Sequence, residues 1–389
     1  MGTVAYLQGD FKAVGSPSSP LVTESTLIRL SENGVQVSSD AVQVTGHSVL
    51  ISAAGQYEIS GQGPSVTIQV SPTVSEDVTL RLNNASFAQL DFQSTGTNIL
   101  SLGTDSINSL SGAETGITAT NLTVTGEGSL TISEAGKYGI FASDDLVVES
   151  GQLTVESAGS GLYAFHETEA GHGNLTINGG DLTITSSQEE GAAVFASNNL
   201  TVNNGTVTVG AAYEAYVGKN LVINGGVAHL TTVANGIVAR NPFAQEGQIS
   251  EANISINGGA NTVTAGLSPL LANGNVSITG GVNTFLPQLA EQAVLNYSGN
   301  ADLAGGILVA LGTTNFTTLG QNVLFTLLAG NPGDTVTITD AAGNEVASYQ
   351  SPVAFASVTY SSDVLTEGNL YYLSTTSGNY GQAIATKGQ

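Results

Sequence analysis

From residue 26 to about residue 311 the chain alternates apolar and polar residues in runs of three to five, with Gly- and Asn-rich clusters between the runs. Alternation with period 2 puts one face of each run in a core and the other toward water, the signature of short strands. A 3.6-residue periodicity is missing throughout, so no helix is expected. Within this pattern one phrase recurs seven times: Asn or Asp, an aliphatic residue, Ser, Thr or Val, then Val or Ile. The copies begin at Asn121, Asp145, Asn174, Asn199, Asn220, Asn253 and Asn275, at intervals of 24, 29, 25, 21, 33 and 22 residues. Those intervals are the scale of one solenoid coil, and a unit so short must stack on its neighbours to bury its apolar face.

Each unit divides into three strands. After Asp145 come Leu146-Val147-Val148, a turn at Ser150-Gly151, Leu153-Thr154-Val155, a turn over residues 158–161, and Leu162-Tyr163-Ala164. Coils wound in one direction form three parallel sheets, each coil supplying its own crossover. The Asn/Asp positions then stack about 4.8 Å apart, where side-chain amides hydrogen-bond along the stack and Asp145 interrupts them with a carboxylate. Leu122/Val124, Leu146/Val148, Leu175/Ile177, Leu200/Val202, Leu221/Ile223, Ile254/Ile256 and Val276/Ile278 are expected to point inward. At about 1.5–3 kcal/mol per buried aliphatic side chain, such a core suffices for folding.

The winding is expected to begin in the segments around Ile28, Val35, Val42 and Val49 and to end near Leu311. Beyond Asn322 longer strands with hairpin-like turns, including residues 335–339, 346–349, 358–360 and 371–373, predict an antiparallel module able to cover the solenoid's open end. The expected division is a flexible lead-in (1–23), a parallel β-helix (24–311) and a C-terminal antiparallel β module (312–389).

Composition narrows the partners. The 389 residues carry 7 Lys and Arg against 31 Asp and Glu, a formal charge of -24, and no Cys or Trp. So few cations disfavour nucleic acid and anionic membrane surfaces. The lack of cysteine excludes disulfides and thiolate metal sites. No apolar run approaches the length of a membrane span. Abundant Thr, Ser, Asn and Gly suggest an extracellular or cell-surface β-protein; the start has no signal-like segment, so an export signal, if used, is missing from this sequence.

Three stretches carry a family likeness: VQVSSDAVQVTGHSVLISAAGQYEISG, GIFASDDLVVESGQLTV and DTVTITDAAGNEVASYQSPVAFASVTYSSDVL. In their order along the chain they resemble bacterial carbohydrate-binding β-helix proteins of the clostridial cellulose- and pectin-binding type, themselves similar to family 9 polysaccharide lyases. The resemblance implies an all-β, right-handed parallel β-helix that binds plant-type polysaccharide, with calcium held by acidic residues at coil turns. Family members often carry Asp-Asp-Gly-Ile where the second turn meets the third strand. Here those places read Gly136-Lys137-Tyr138-Gly139, Gly159-Ser160-Gly161 and Val233-Ala234-Asn235-Gly236, and only Glu189-Glu190-Gly191 keeps an acidic pair.

Candidate chemistry lies at the two long intervals, whose insertions, residues 166–173 and 240–252, fall at the same turn. They are expected to stand about 14 Å apart as two walls, with Asn198, Asn199, Lys219 and Asn220 as the floor. Beside them, Phe141, Tyr163 and Phe195 are expected to point outward in three consecutive coils. Such a stripe either stacks on sugar rings or lies under the loop from His166 as a satellite core. The candidate glycan-binding residues are thus Phe141, Tyr163, Phe195, Asn198, Lys219 and Arg240. Candidate calcium ligands are Asp144, Asp145, Glu167, Glu169, Glu189 and Glu190, since calcium takes six to eight oxygens. His166 and His172 lack a third imidazole, and residues 340–345 read as a hairpin turn rather than a calcium loop.

The leading expectation is a secreted, non-catalytic polysaccharide-binding protein. A surface stalk or adhesin and a calcium-dependent lyase are the alternatives. A lyase needs a basic residue beside calcium, for which the edge offers only Lys219 and Arg240; a hydrolase needs two spaced carboxylates, for which Glu167 with Glu246 or Glu251 are candidates.

Overall fold

The computed structural model describes residues 25–167, 171–244 and 251–387. The described residues are all strand, turn and loop, wound into a parallel β-solenoid of about 11 turns, followed by a separate antiparallel sheet. The coil after Asp145 consists of Leu146–Val148, Gln152–Ser157 and Ser160–Ala164, each paired in parallel with its equivalent one coil on. In the first sheet Leu146, Leu175, Leu200, Leu221, Ile254, Val276 and Ala301 follow one another in register. All seven inward pairs expected from the alternation are buried in one continuous core.

The turn after the first strand explains its glycine. At Gly281 φ is +83°, and a Cβ would lie 2.7 Å from the carbonyl oxygen of Gly259 in the coil before. Both conformation and close stacking therefore require glycine.

Ladder residues hydrogen-bond along the stack from Asn121 to Asn220 and again from Asn253 to the backbone of Asn300. Asp145 does not interrupt them, contrary to the expectation. One of its carboxylate oxygens accepts both the backbone N–H and the side-chain amide of Asn174 at 2.9 Å, and its own N–H donates to Asn121. Its carboxylate lacks only the donor half of an amide, which the backbone supplies. The side-chain ladder pauses instead at Asn253, whose N–H donates to the Lys219 carbonyl across the longer insertion.

The N-terminal segments depart from the expected coils. Thr26–Ser31 and Gly34–Val37 form an antiparallel hairpin, as do Val42–Thr45 and Ser48–Ile51. One arm of each pairs in parallel with the long strand Gly55–Val70. The strand Val78–Phe92 then touches strands of all three sheets in succession, rounding the corners unbroken. Asn84, with φ of 54°, sits at one bend.

At the other end parallel pairing reaches Thr318–Leu319, and Phe316 and Val323 join the solenoid core. Phe355–Ser361, which holds residues 358–360, does not belong to the terminal sheet. It pairs antiparallel with the solenoid strand Ile307–Ala310 and with Val323–Gly330. The separate sheet runs Glu345–Gln350, Thr335–Thr339, Leu370–Thr375, Tyr380–Ile384. Val336, Ile338, Tyr371 and Leu373 on its inner face share a second core with Leu286, Leu311 and Phe355. The turn over residues 340–344 is a hairpin, in which Asp340 accepts the N–H groups of Ala342 and Asn344.

Candidate functional site

The third sheet carries apolar residues on both faces. Ile140, Leu162, Val194, Tyr216 and Ile237 enter the solenoid core, while Phe141, Tyr163, Phe195, Val217, Val238 and Leu271 form the outward row, in register. Parallel register puts equivalent rings about 4.8 Å apart, close to ring-stacking distance. Tyr163 and Phe195 stack at 4.4 Å and 11°, Tyr138 and Tyr163 at 4.5 Å, and Phe141 and Tyr163 at 6.1 Å.

The outward stripe is only partly open. Phe195 is 8% exposed, and Val217 and Val238 are wholly covered, forming a satellite cluster with Tyr163 and Phe165 at its margin. Phe141, Tyr163 and Tyr138 remain half-buried. Of the two expected walls, residues 168–170 and 245–250 lie outside the described residues; among the described ones Phe243, from the second insertion, packs on Phe165 at 5.8 Å, beside the first. An apolar side chain on a long loop lowers its exposure by folding back over the column. Of the expected floor, Asn198 is buried and donates its amide to Asn174, while Asn199, Lys219 and Asn220 are half-buried.

Glu214, at the start of its third-sheet strand, is 3% exposed and pairs with Arg240 at 2.6 Å. A carboxylate so deep needs a cation, and Arg240 supplies it. Burial pushes the Tyr163 hydroxyl up to about 12, helped by the adjacent Tyr138, while the nearby Arg240 pulls it down. Lys137 lies over the Tyr138 ring, 5.1 Å from its centre. The half-open end of the column is therefore aromatic, with Lys137 at its rim.

Among the described residues the acidic candidates do not converge. Asp144 accepts from His172 Nδ1 at 3.0 Å and from the Gly173 N–H, and Asp145 from Asn174. Glu167, Glu189 and Glu190 are exposed, and Glu169 and Glu246 lie outside the described residues. His166 and His172 stack at 4.8 Å, but among the described residues no three His, Asp or Glu groups come together as a metal site. Calcium wants several carboxylate and carbonyl oxygens at once, and one of the candidate ligands, Glu169, lies outside the described residues.

Sequence reasoning missed Tyr138, Phe165, Phe243 and Glu214. Tyr138 and Glu214 open their strands, Phe165 follows its strand and Phe243 sits in the insertion, so none falls in the row of Phe141, Tyr163 and Phe195. It also missed an exposed ladder after the first strand, in which Asn178, Asn203, Asn224 and Asn257 donate successively from Glu149 onward. Its signal was present: the same intervals recur four residues after each station.

A family described as carbohydrate-binding domain-containing protein matches residues 45–293. A solved structure of a polysaccharide lyase-like protein from C. thermocellum, in a gadolinium derivative, is similar at 17% identity and a TM-score of 0.32, covering 76% of this chain and 97% of that one. No curated protein matches.

Proposed function

Because the chain belongs to the carbohydrate-binding domain-containing protein family, we propose that it is a non-catalytic polysaccharide binder acting outside the cell, which lays a glycan across Phe141, Tyr163 and Tyr138. The observation that carries this reading is the stacked column that stays half-open at those three rings after its other end is covered. Sugar rings present apolar C–H faces and polar edges, which suits aromatic faces bordered by polar groups. Lys137 at the rim and the hydroxyls of Tyr138 and Tyr163 supply the polar contacts.

Charge selects among glycans. With a formal charge of -24 the chain repels a polyuronate, and Arg240 is already engaged by Glu214. Neutral plant-type polysaccharides are therefore the preferred ligands, held by direct contact rather than through calcium. Affinity electrophoresis through gels containing a neutral xylan or β-glucan, or polygalacturonate, each with and without chelator, tests this. Retardation by a neutral glycan that survives chelator is expected, with no ultraviolet-absorbing product from polygalacturonate. Free migration in every gel would overturn the reading.

A further inference from the structure

The outer face of the four-stranded C-terminal sheet lies beyond the family's matched span and shares no residue with the column. Three of its strands, Thr335–Thr339, Leu370–Thr375 and Tyr380–Ile384, alternate in burial, while a register shift breaks the alternation of Glu345–Gln350. Val336, Ile338, Tyr371, Leu373 and Ala383 go to the core, so Thr335, Thr337 and Thr339, then Tyr372 and Ser374, then Tyr380, Gln382 and Ile384 face outward. Tyr380 is 82% exposed and Tyr372 is 44% exposed. Tyr372 pairs with Gln382, and Ser374 with Tyr380, so the two rings are diagonal neighbours on adjacent strands, roughly 7–8 Å apart at the backbone. Thr339, Tyr372, Ser374, Tyr380 and Gln382 border an open slot of about 390 Å³.

Two features identify the chemistry of what fits there. The side chains of Thr337, Thr339, Tyr372, Ser374, Tyr380 and Gln382 make no hydrogen bond among the described residues, so hydroxyl and amide groups stand free beside two aromatic faces. The face is also almost uncharged: of the outward positions on its strands only Glu345 carries charge, and it accepts from Ser348. In a chain with 31 acids and 7 bases, a neutral face bearing rings and free hydroxyls matches a neutral, polyhydroxylated ligand. It does not match a polyanion, which needs cations, or a cation, which needs clustered carboxylates.

We infer that this face is a second glycan-binding platform, on which Tyr372 and Tyr380 stack neighbouring sugar units of a neutral polysaccharide while Thr339, Ser374 and Gln382 bond their hydroxyls. It does not depend on the solenoid column: either platform can be removed without the other.

The test uses the full chain in three forms: Tyr372→Ala with Tyr380→Ala, Phe141→Ala with Tyr163→Ala, and all four together. Because Tyr372 and Tyr380 are exposed, their removal is expected to leave the melting temperature unchanged. Binding to neutral xylan and β-glucan is read by affinity electrophoresis, and self-association by light scattering. The C-terminal pair is expected to weaken binding to at least one neutral glycan roughly tenfold, in the otherwise wild-type chain and in the column variant alike. Unchanged binding in both backgrounds overturns the inference and leaves the column proposal standing. A change in self-association without a change in glycan binding also overturns it, by making the face a contact between copies.

Discussion

At the scale of single residues, Glu214 and Arg240 belong to neighbouring coils, and parallel stacking, in which the Arg240 N–H donates to the Gly218 carbonyl, brings the pair within reach. Removing either partner is unequal. Arg240→Ala leaves a carboxylate that is 3% exposed without its cation and is expected to cost about 2–4 kcal/mol. Glu214→Gln leaves a guanidinium that is 40% exposed and can turn to solvent, so screening reduces the loss to about 1 kcal/mol. Urea denaturation of the two variants measures the order; a larger loss in Glu214→Gln would contradict the burial argument. Tyr163 gives a second check. Its folded-state pKa is raised to about 12, against roughly 10 for an unfolded tyrosine, so the folded chain holds that proton longer. The stability from this group is whole below about pH 10 and is lost as pH rises to about 12. Tyr163→Phe is expected to lose less stability than the wild type across that window, and equal slopes would remove the case for burial. Alternation made the outward places of Phe141, Tyr163 and Phe195 legible, but Phe165, whose ring lies 6.4 Å from that of Phe195, stands just past the end of its strand, Ser160–Ala164.

At the scale of elements, the repeat specified the coils. Its inward pairs, its intervals and its stacked amides were all readable, because parallel register fixes equivalent residues opposite one another. The N-terminal hairpins were not read, although their signals are present. Two-residue loops, Glu32-Asn33 before Gly34 and Gly46-His47, are hairpin turns, and Gly46 has φ of 60°. Alternation alone cannot tell an antiparallel arm from a coil strand, since both have period 2. The ladders make a further prediction. Asn199 donates to Asn174 at 2.9 Å and accepts from Asn220 at 3.1 Å in a half-buried column, so Asn199→Ala strands a partner on each side. It is expected to cost about 1–3 kcal/mol, whereas Asn203→Ala, in the exposed ladder where water replaces the bonds, costs about 0.5 kcal/mol or less. Chemical denaturation separates the two, and equal losses would show that burial does not set the value of these amides.

At the scale of the whole molecule, the solenoid is a rigid support whose third sheet carries an aromatic column and whose far end carries a sheet with its own core and open face. The long intervals located two insertions at the same turn of the coil. They did not reveal that Phe243 would bridge to Phe165, because a spacing counts residues and says nothing about where an insertion folds. With two platforms on one chain, binding to a long polysaccharide gains from multivalency if both engage the same strand. The central claim remains the half-open column, and binding of neutral polysaccharide by the wild type and by the Phe141→Ala, Tyr163→Ala variant in one affinity gel tests it most directly. The account predicts retardation of the wild type and, in the variant, a loss of roughly tenfold in affinity; retardation unchanged by the double substitution would contradict it.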